Sequence, residues 1–302
     1  MSREVKILNN VLDFIYGYLL IKSYFLYIKT NILKVNYPNI EYANKWREYV
    51  SKVNYNELIK KACELVTNIN EIIEGNWLSL YDCLDKSAYF ALIHENHPNI
   101  TLGFTKDADL WDIWLREGIF KLVREIIADI LSLSNGDKVI DLGCGSASPT
   151  FYGEIIGPNG FYTGIDFSKP LLSLAKVRVR KKNLDWVKLN QWYVDSKITF
   201  SESYDYVICS SILQYTNFKM ALNNAIRALN GNGVIIVFSE VFTDLEPERA
   251  KLFELYYSLI PSFKGFPSIS DILNYIHNYC EYKCKLIGKN ILKLEIMDSI
   301  VH

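Results

Sequence analysis

The chain has little of what marks a secreted, metal-bound or strongly charged protein. Its six cysteines, Cys63, Cys83, Cys144, Cys209, Cys280 and Cys284, contain no Cys-x-x-Cys pair. Neither a zinc ribbon nor a dithiol redox motif is expected, and no metal site. The N-terminus has no basic region leading through an apolar run to a small-residue cleavage site. A cytoplasmic chain with free thiols is the expectation. Neither sign of charge dominates: 33 Lys and Arg against 34 Asp and Glu leave -1. That argues against nucleic acid as a partner but leaves room for a local basic patch. The cluster Lys176, Arg178, Arg180, Lys181 and Lys182 is expected on the solvated face of a helix. Residues 14–28 form an apolar, aromatic run shorter than the ~20 residues of a bilayer span, with Lys22 inside it. A buried helix is the first reading and an interfacial membrane helix the second; no transmembrane span is expected.

What is present falls into two textures. The first part reads as helices: residues 4–33, 41–53, one opening at Asn54 with Glu57 as its capping box, one at 79–93 opened by Ser79 and Asp82, and one over 107–131. The third carries Leu58, Ala62, Leu65, Ile69 and Ile72 at helical spacing and ends at Gly75. A polar break, His94-Glu95-Asn96-His97-Pro98-Asn99, precedes the last. After Ser134-Asn135-Gly136-Asp137 short apolar runs alternate with helical stretches, the signature of a parallel α/β sheet. Strands are expected at 138–142, 161–166, 186–190, 206–210 and 233–239, with an antiparallel hairpin at 282–287 and 291–297. Helices are expected at 149–156, 169–182, 217–229, 247–260 and from Ser268. The expected boundary separates a helical domain, 1–132, from an α/β domain, 133–302.

The first strand runs into Asp141-Leu142-Gly143-Cys144-Gly145-Ser146-Ala147, with Pro149 opening a helix. Small residues there let a ligand approach the backbone, but such a loop alone is compatible with a dinucleotide, a sulfonium nucleoside or no ligand. The second strand ends at Asp166, whose carboxylate can accept from both hydroxyls of a ribose. A third glycine is missing and Pro149 removes one N–H, which weakens a pyrophosphate cradle.

Taken together, the runs DLGCG, GIDFS, YDYVICSSILQYT and ALNGNGVIIVFSE resemble the class I S-adenosylmethionine-dependent methyltransferases, over about 170 residues from Gly136 onward. The resemblance implies a Rossmann-like, doubly wound, seven-stranded sheet with a C-terminal antiparallel hairpin, here behind an all-α N-terminal domain. It implies S-adenosyl-L-methionine as cofactor. Asp141 would organise the loop around the amino-acid end of the cofactor, Gly143 and Gly145 line it, and Asp166 hold the ribose; Cys144, Phe167 and Ser210 are further expected cofactor-binding residues. The family's acid after the third strand is missing. Asn190 or Gln191 would accept from the adenine in its place, or Asp195 reach round, with Trp192 packing on the base or on the core. After the fourth strand Ser210-Ser211-Ile212-Leu213-Gln214-Tyr215 departs from the Asn/Asp-Pro-Pro-Tyr/Phe pattern of amino methylases, which points to small-molecule acceptors.

Methyl transfer needs orientation and water exclusion, and a base only if the acceptor must lose a proton. Candidates are Tyr215 and Glu240 after the fourth and fifth strands, and His94 and His97 in the polar break, where Tyr89, Glu95 and Asn96 would complete a lid. Asp166→Ala is expected to leave the fold intact, as a strand-tip carboxylate outside the core. The helical part would wall the acceptor pocket, or serve as a dimerisation or partner surface. Its aromatic load suits an apolar or aromatic acceptor. The competing readings are a methyltransferase of protein or RNA, and a methyltransferase-like binding subunit without turnover.

Overall fold

The computed structural model describes residues 2–67, 77–97 and 100–299. Six helices come first: α1 (Arg3–Thr30), α2 (Ile40–Ser51), α3 (Tyr55–Thr67), α4 (Ser79–Ile93), α5 (Ala108–Arg116) and α6 (Gly118–Leu131). Then β1 (Lys138–Leu142), α7 (Ser148–Ile156), β2 (Phe161–Asp166), α8 (Lys169–Lys181), β3 (Val187–Gln191), β4 (Tyr204–Ser210), α9 (Phe218–Ala228), β5 (Leu229–Phe238), α10 (Pro247–Tyr257), α11 (Ile269–His277), β6 (Cys280–Ile287) and β7 (Ile291–Ser299) follow. The seven strands form one sheet in the order β3-β2-β1-β4-β5-β7-β6, parallel except for β7, which runs antiparallel to both neighbours. This is the expected Rossmann-like sheet with its terminal hairpin.

Alternation along the strands sorts the core into two layers. Val139, Tyr162, Ile208 and Ile236 face a cluster that also takes in α1, α2, α4, α6, α7 and α10. Their neighbours Ile140, Val207 and Ile235 face a second cluster with α9 and α11. The helices before Ser132 thus share one continuous core with a face of the sheet. Tyr42 on α2 donates to the Leu255 carbonyl of α10 (2.9 Å), and Trp46 packs edge-on against Tyr256.

Several local expectations are corrected. The helix expected over 107–131 is two, because Glu117 is extended and Gly118 takes φ +55°, a left-handed value that interrupts helical hydrogen bonding. Ser79 lies inside α4 and accepts from Trp114 Nε1 (2.7 Å) in place of capping. β5 begins at Leu229, earlier than expected. Arg178 turns inward from the basic cluster of α8, whereas Lys176, Arg180, Lys181 and Lys182 are exposed. Residues 14–28 fall within α1, a helix long and apolar enough by length and composition to cross a membrane, with half of its most apolar window buried in the protein. The expectations at Ile69, Ile72, Gly75, Pro98 and Asn99 lie outside the described residues.

Candidate functional site

Strand order reverses between β1 and β4, so the loops after β1 and β4 diverge and leave a crevice at the carboxyl ends of the strands. A cleft of about 410 Å³ occupies that place, lined by Gly143, Asp166, Phe167, Tyr193, Val194, Asp195, Ile212, Tyr215, Thr216 and Ser262.

The β1–α7 loop is pinned from below. Gly143 and Cys144 donate to the Ile165 carbonyl (2.8 and 3.0 Å). Gly143 at φ +85° and Gly145 at φ +57° hold left-handed conformations, and a Cβ on either would press against Ile212 or Leu115 within 3 Å. Asp166, only 7% exposed, accepts from Gly145 N through Oδ2 (2.9 Å) and from Ser168 N through Oδ1 (2.8 Å). Each carboxylate oxygen retains a second lone pair for a ligand hydroxyl. Burial pushes the Asp166 carboxyl up, while the bonds from Ser168 and Gly145 hold it back. Asp141 lies beneath the loop, accepting from the Tyr162 hydroxyl (2.8 Å). Burial raises its carboxyl to about 7, with Arg124 among the groups opposing that. Cys144 contributes backbone only: its thiol is buried against the space left by Gly164.

The helical part covers this loop with Leu115, which abuts Gly145, and meets the segment after β2 with Phe104. Ser168 donates to the Phe104 carbonyl (2.9 Å), and the Phe104 ring meets Phe167 and Tyr215 edge-on. Arg178 forks onto Asp112 of α5 through both η nitrogens (2.6 Å each) and donates to the Ser146 carbonyl (3.1 Å), tying α5, α8 and the loop together.

On the far wall, Phe167 stacks on Tyr193 (ring centroids 5.7 Å). Tyr193, Val194 and Asp195 line the cleft; Asn190, Gln191 and Trp192 do not. Gln191 is turned to the Phe167 carbonyl, and Trp192 is 46% exposed. Asp195 accepts from Asn217 N (2.9 Å) and Lys264 Nζ (3.1 Å). Ser210 is the half-buried last residue of β4 and pairs with Phe238.

Next to the cleft is a buried polar cluster. Glu240, 2% exposed, accepts from Ser211 Oγ and Gln214 Nε2 (both 2.9 Å). Ser211 is held at φ +51° after β4, which aims its hydroxyl there. Burial pushes the Glu240 carboxyl up, against the donors that hold it. No cation pairs with it among the described residues. Tyr81 of α4, Tyr215 and Tyr257 of α10 surround it closely enough for its charge to raise each phenol further beyond the effect of burial. Gln214 Oε1 and the Tyr81 and Tyr257 hydroxyls are buried without a hydrogen bond of normal geometry. Tyr215 belongs to both places, as cleft wall and as neighbour of Glu240.

Of the four expected catalytic candidates, the structure brings Glu240 and Tyr215 together. His94 and His97 pack at the end of α4, with His97 stacked on Phe90 (3.9 Å), and line no part of the cleft. Tyr81 was legible only as one of the many aromatics of the helical part that would suit an acceptor, and Tyr257 and Ser262 were not legible as site residues: they arrive from α10 and the connection after it.

Residues 133–292 match the methyltransferase domain family. An uncharacterised protein of Methanocaldococcus jannaschii is 32% identical over 87% of this chain and 75% of its own length. A demethylmenaquinone methyltransferase of Lactococcus lactis is 29% identical over 43% of this chain, which spans about half of it (52%). Among solved structures, the CurJ carbon methyltransferase superposes with a TM-score of 0.56 over 98% of this chain and 92% of its own, at 13% identity. Loop, strand-tip acid, sheet order and sequence match agree, and the chain belongs to the methyltransferase domain family as a class I S-adenosylmethionine-dependent methyltransferase.

Proposed function

We propose that this chain methylates a small acceptor with an apolar or aromatic body and a polar group seated on Glu240. The residues of the cleft fit the cofactor. Positive-φ glycines keep the β1–α7 loop free of side chains, Asp166 has acceptor capacity for the ribose hydroxyls, and Phe167 and Tyr193 offer aromatic faces to the base. Asp195 lines the cleft where Asn190, Gln191 and Trp192 do not, which supports it as the acceptor for the adenine amino group. When bound, S-adenosylmethionine supplies a methyl group activated by its sulfonium.

The observation that carries the acceptor reading is Glu240: a buried carboxyl with no cationic partner among the described residues, beside a buried Gln214 Oε1 without a hydrogen bond and the Tyr81 and Tyr257 hydroxyls, which face each other. Such groups are costly unless satisfied, and an acceptor hydroxyl, amine or acidic C–H would satisfy them. Glu240 then orients the nucleophile and takes its proton, while Tyr81, Tyr215 and Tyr257 exclude water. The names of similar enzymes, a demethylmenaquinone methyltransferase and a malonyl-[acyl-carrier protein] O-methyltransferase, favour small acceptors.

Calorimetric titration with S-adenosylmethionine and S-adenosylhomocysteine comes first, then turnover with a demethylated quinone and a malonyl thioester. Glu240→Gln is expected to keep cofactor affinity and lose roughly 100-fold in transfer rate. The wild-type rate should rise with pH as Glu240 ionises, and the variant should lose that dependence. A variant with undiminished turnover would remove Glu240 from the mechanism.

A further inference from the structure

The corner between α1 and α2 carries an exposed apolar surface that the methyl-transfer site does not use. Phe25, Ile28, Leu33, Val35 and Ile40 are between 43% and 64% exposed. These are five of the fifteen exposed large hydrophobic residues among the described residues, and they fall within 16 consecutive positions. Scattered exposed apolar residues need no explanation, but such a concentration marks an interaction surface.

The corner is also rigid. Asn31 caps α1 in a left-handed conformation and donates to the Tyr27 carbonyl (2.9 Å). Arg47 of α2 donates from Nε to the Ile32 carbonyl (2.9 Å) and also binds the Val35 carbonyl, and the Tyr37 hydroxyl binds the Thr30 carbonyl. Ile32 and Tyr37 point inward as anchors, so the backbone that presents Leu33 and Val35 is ordered in advance. α1 itself changes character along its length. Through Leu20 it buries a regular apolar face, whereas its last ten residues bury only Ser23, Leu26 and Thr30.

Charge decides the occupant. Residues 25–40 contain Lys29 and Lys34 and no acidic residue, in a chain whose net charge is -1. Both lysines are exposed, Lys29 with its Nζ over the Tyr89 ring (3.7 Å to the centroid) and Lys34 beyond the end of α1. A second copy meeting this corner about a twofold axis would set like charges against each other. We propose that the α1–α2 corner docks on an anionic lipid surface, with Leu33, Val35 and Ile40 entering the headgroup region alongside Phe25 and Ile28, and Lys29 and Lys34 facing the lipid phosphates. The chain would lie on the bilayer without spanning it, since half of the apolar window of α1 is committed to the protein core. This inference does not depend on the acceptor reading.

The test is cosedimentation of the full chain with vesicles of phosphatidylcholine containing about 30% phosphatidylglycerol, against phosphatidylcholine alone. Binding is expected to the anionic vesicles, falling about tenfold without the anionic lipid or at roughly 0.5 M salt. The triple variant Ile28→Ser, Leu33→Ser, Val35→Ser should lose binding at either salt. The double variant Lys29→Glu, Lys34→Glu should lose the salt-dependent part. Unchanged S-adenosylhomocysteine affinity and circular dichroism would show both variants folded. No sedimentation of the wild type with anionic vesicles, or equal sedimentation of the triple variant, overturns the proposal. Dimerisation in light scattering that the triple variant abolishes, without lipid binding, overturns it in favour of a second copy.

Discussion

Two carboxyl groups under the cofactor loop do different work. Asp166 pins the loop whatever it binds: its two oxygens bridge Gly145 and Ser168. The sequence-based expectation that Asp166→Ala spares the fold is therefore revised. Removing the carboxyl leaves two buried N–H groups without partners, at about 1–3 kcal/mol each. Asp166→Ala should lower unfolding free energy in urea by roughly 2–6 kcal/mol and weaken cofactor binding together. Asp166→Asn keeps one acceptor oxygen but sets its NH2 against the other N–H, so it should lose about half as much stability as the alanine variant, together with affinity. An alanine variant of wild-type stability would show that the bridge contributes nothing. Asp141 predicts a pH effect. Burial raises it from 3.8 to about 7, so between those values the folded chain holds a proton that the unfolded chain releases. The stability it contributes is complete below about pH 4 and lost as pH rises through about 7. Urea denaturation at about pH 5 and about pH 8 should show wild type losing more stability than Asp141→Asn across that interval.

Among the elements, the break between α5 and α6 decides how the helical part reaches the site. Gly118 lets the chain turn so that α5 lies over the β1–α7 loop, where Asp112 meets Arg178, while α6 packs against α1 and α7. A Cβ at Gly118 would come within 2.5 Å of Trp77 Cβ, in a backbone conformation that L-residues resist. Gly118→Ala should cost at least about 1–2 kcal/mol from the conformation alone. It should also weaken cofactor binding, because Leu115, three residues before it, abuts Gly145. Thermal unfolding and calorimetry on the same preparation would check both. The connection from α10 to α11 has a comparable role. Lys264 donates from its backbone to the Gln214 carbonyl (2.7 Å) and from Nζ to Asp195, closing the cleft that Ser262 lines.

The molecule as a whole is joined by a core that runs from Val5 to Ile291. Tyr81 of α4, before the sheet, and Tyr257 of α10, after β5, complete the Glu240 cluster. Residues 133–302 expressed alone would expose that apolar face. We expect the fragment to aggregate or to lack a cooperative transition, and the full chain to unfold in one step when tryptophan fluorescence and circular dichroism are compared. Two separate transitions would show instead that the parts are stable independently.

The α/β half was legible because its signals are local. Strand alternation, the small-residue loop after β1 and a carboxylate at the tip of β2 occupy short windows with fixed spacing. Sheet order and the terminal hairpin followed from the resemblance those windows carry. The wall after β3 was less legible: the chain offers several polar and aromatic residues in a row, and only the packing shows that Tyr193, Val194 and Asp195 line the cleft. Glu240 could be nominated from its place after β5, but not its burial or its tyrosine neighbours. The sequence by itself determined the family, the sheet and the cofactor loop, since each rests on periodicity or on residues adjacent along the chain. Only the tertiary structure decided which side chains close the site, because Phe104, Leu115, Tyr81, Tyr257 and Ser262 reach it through contacts between elements that no local pattern encodes.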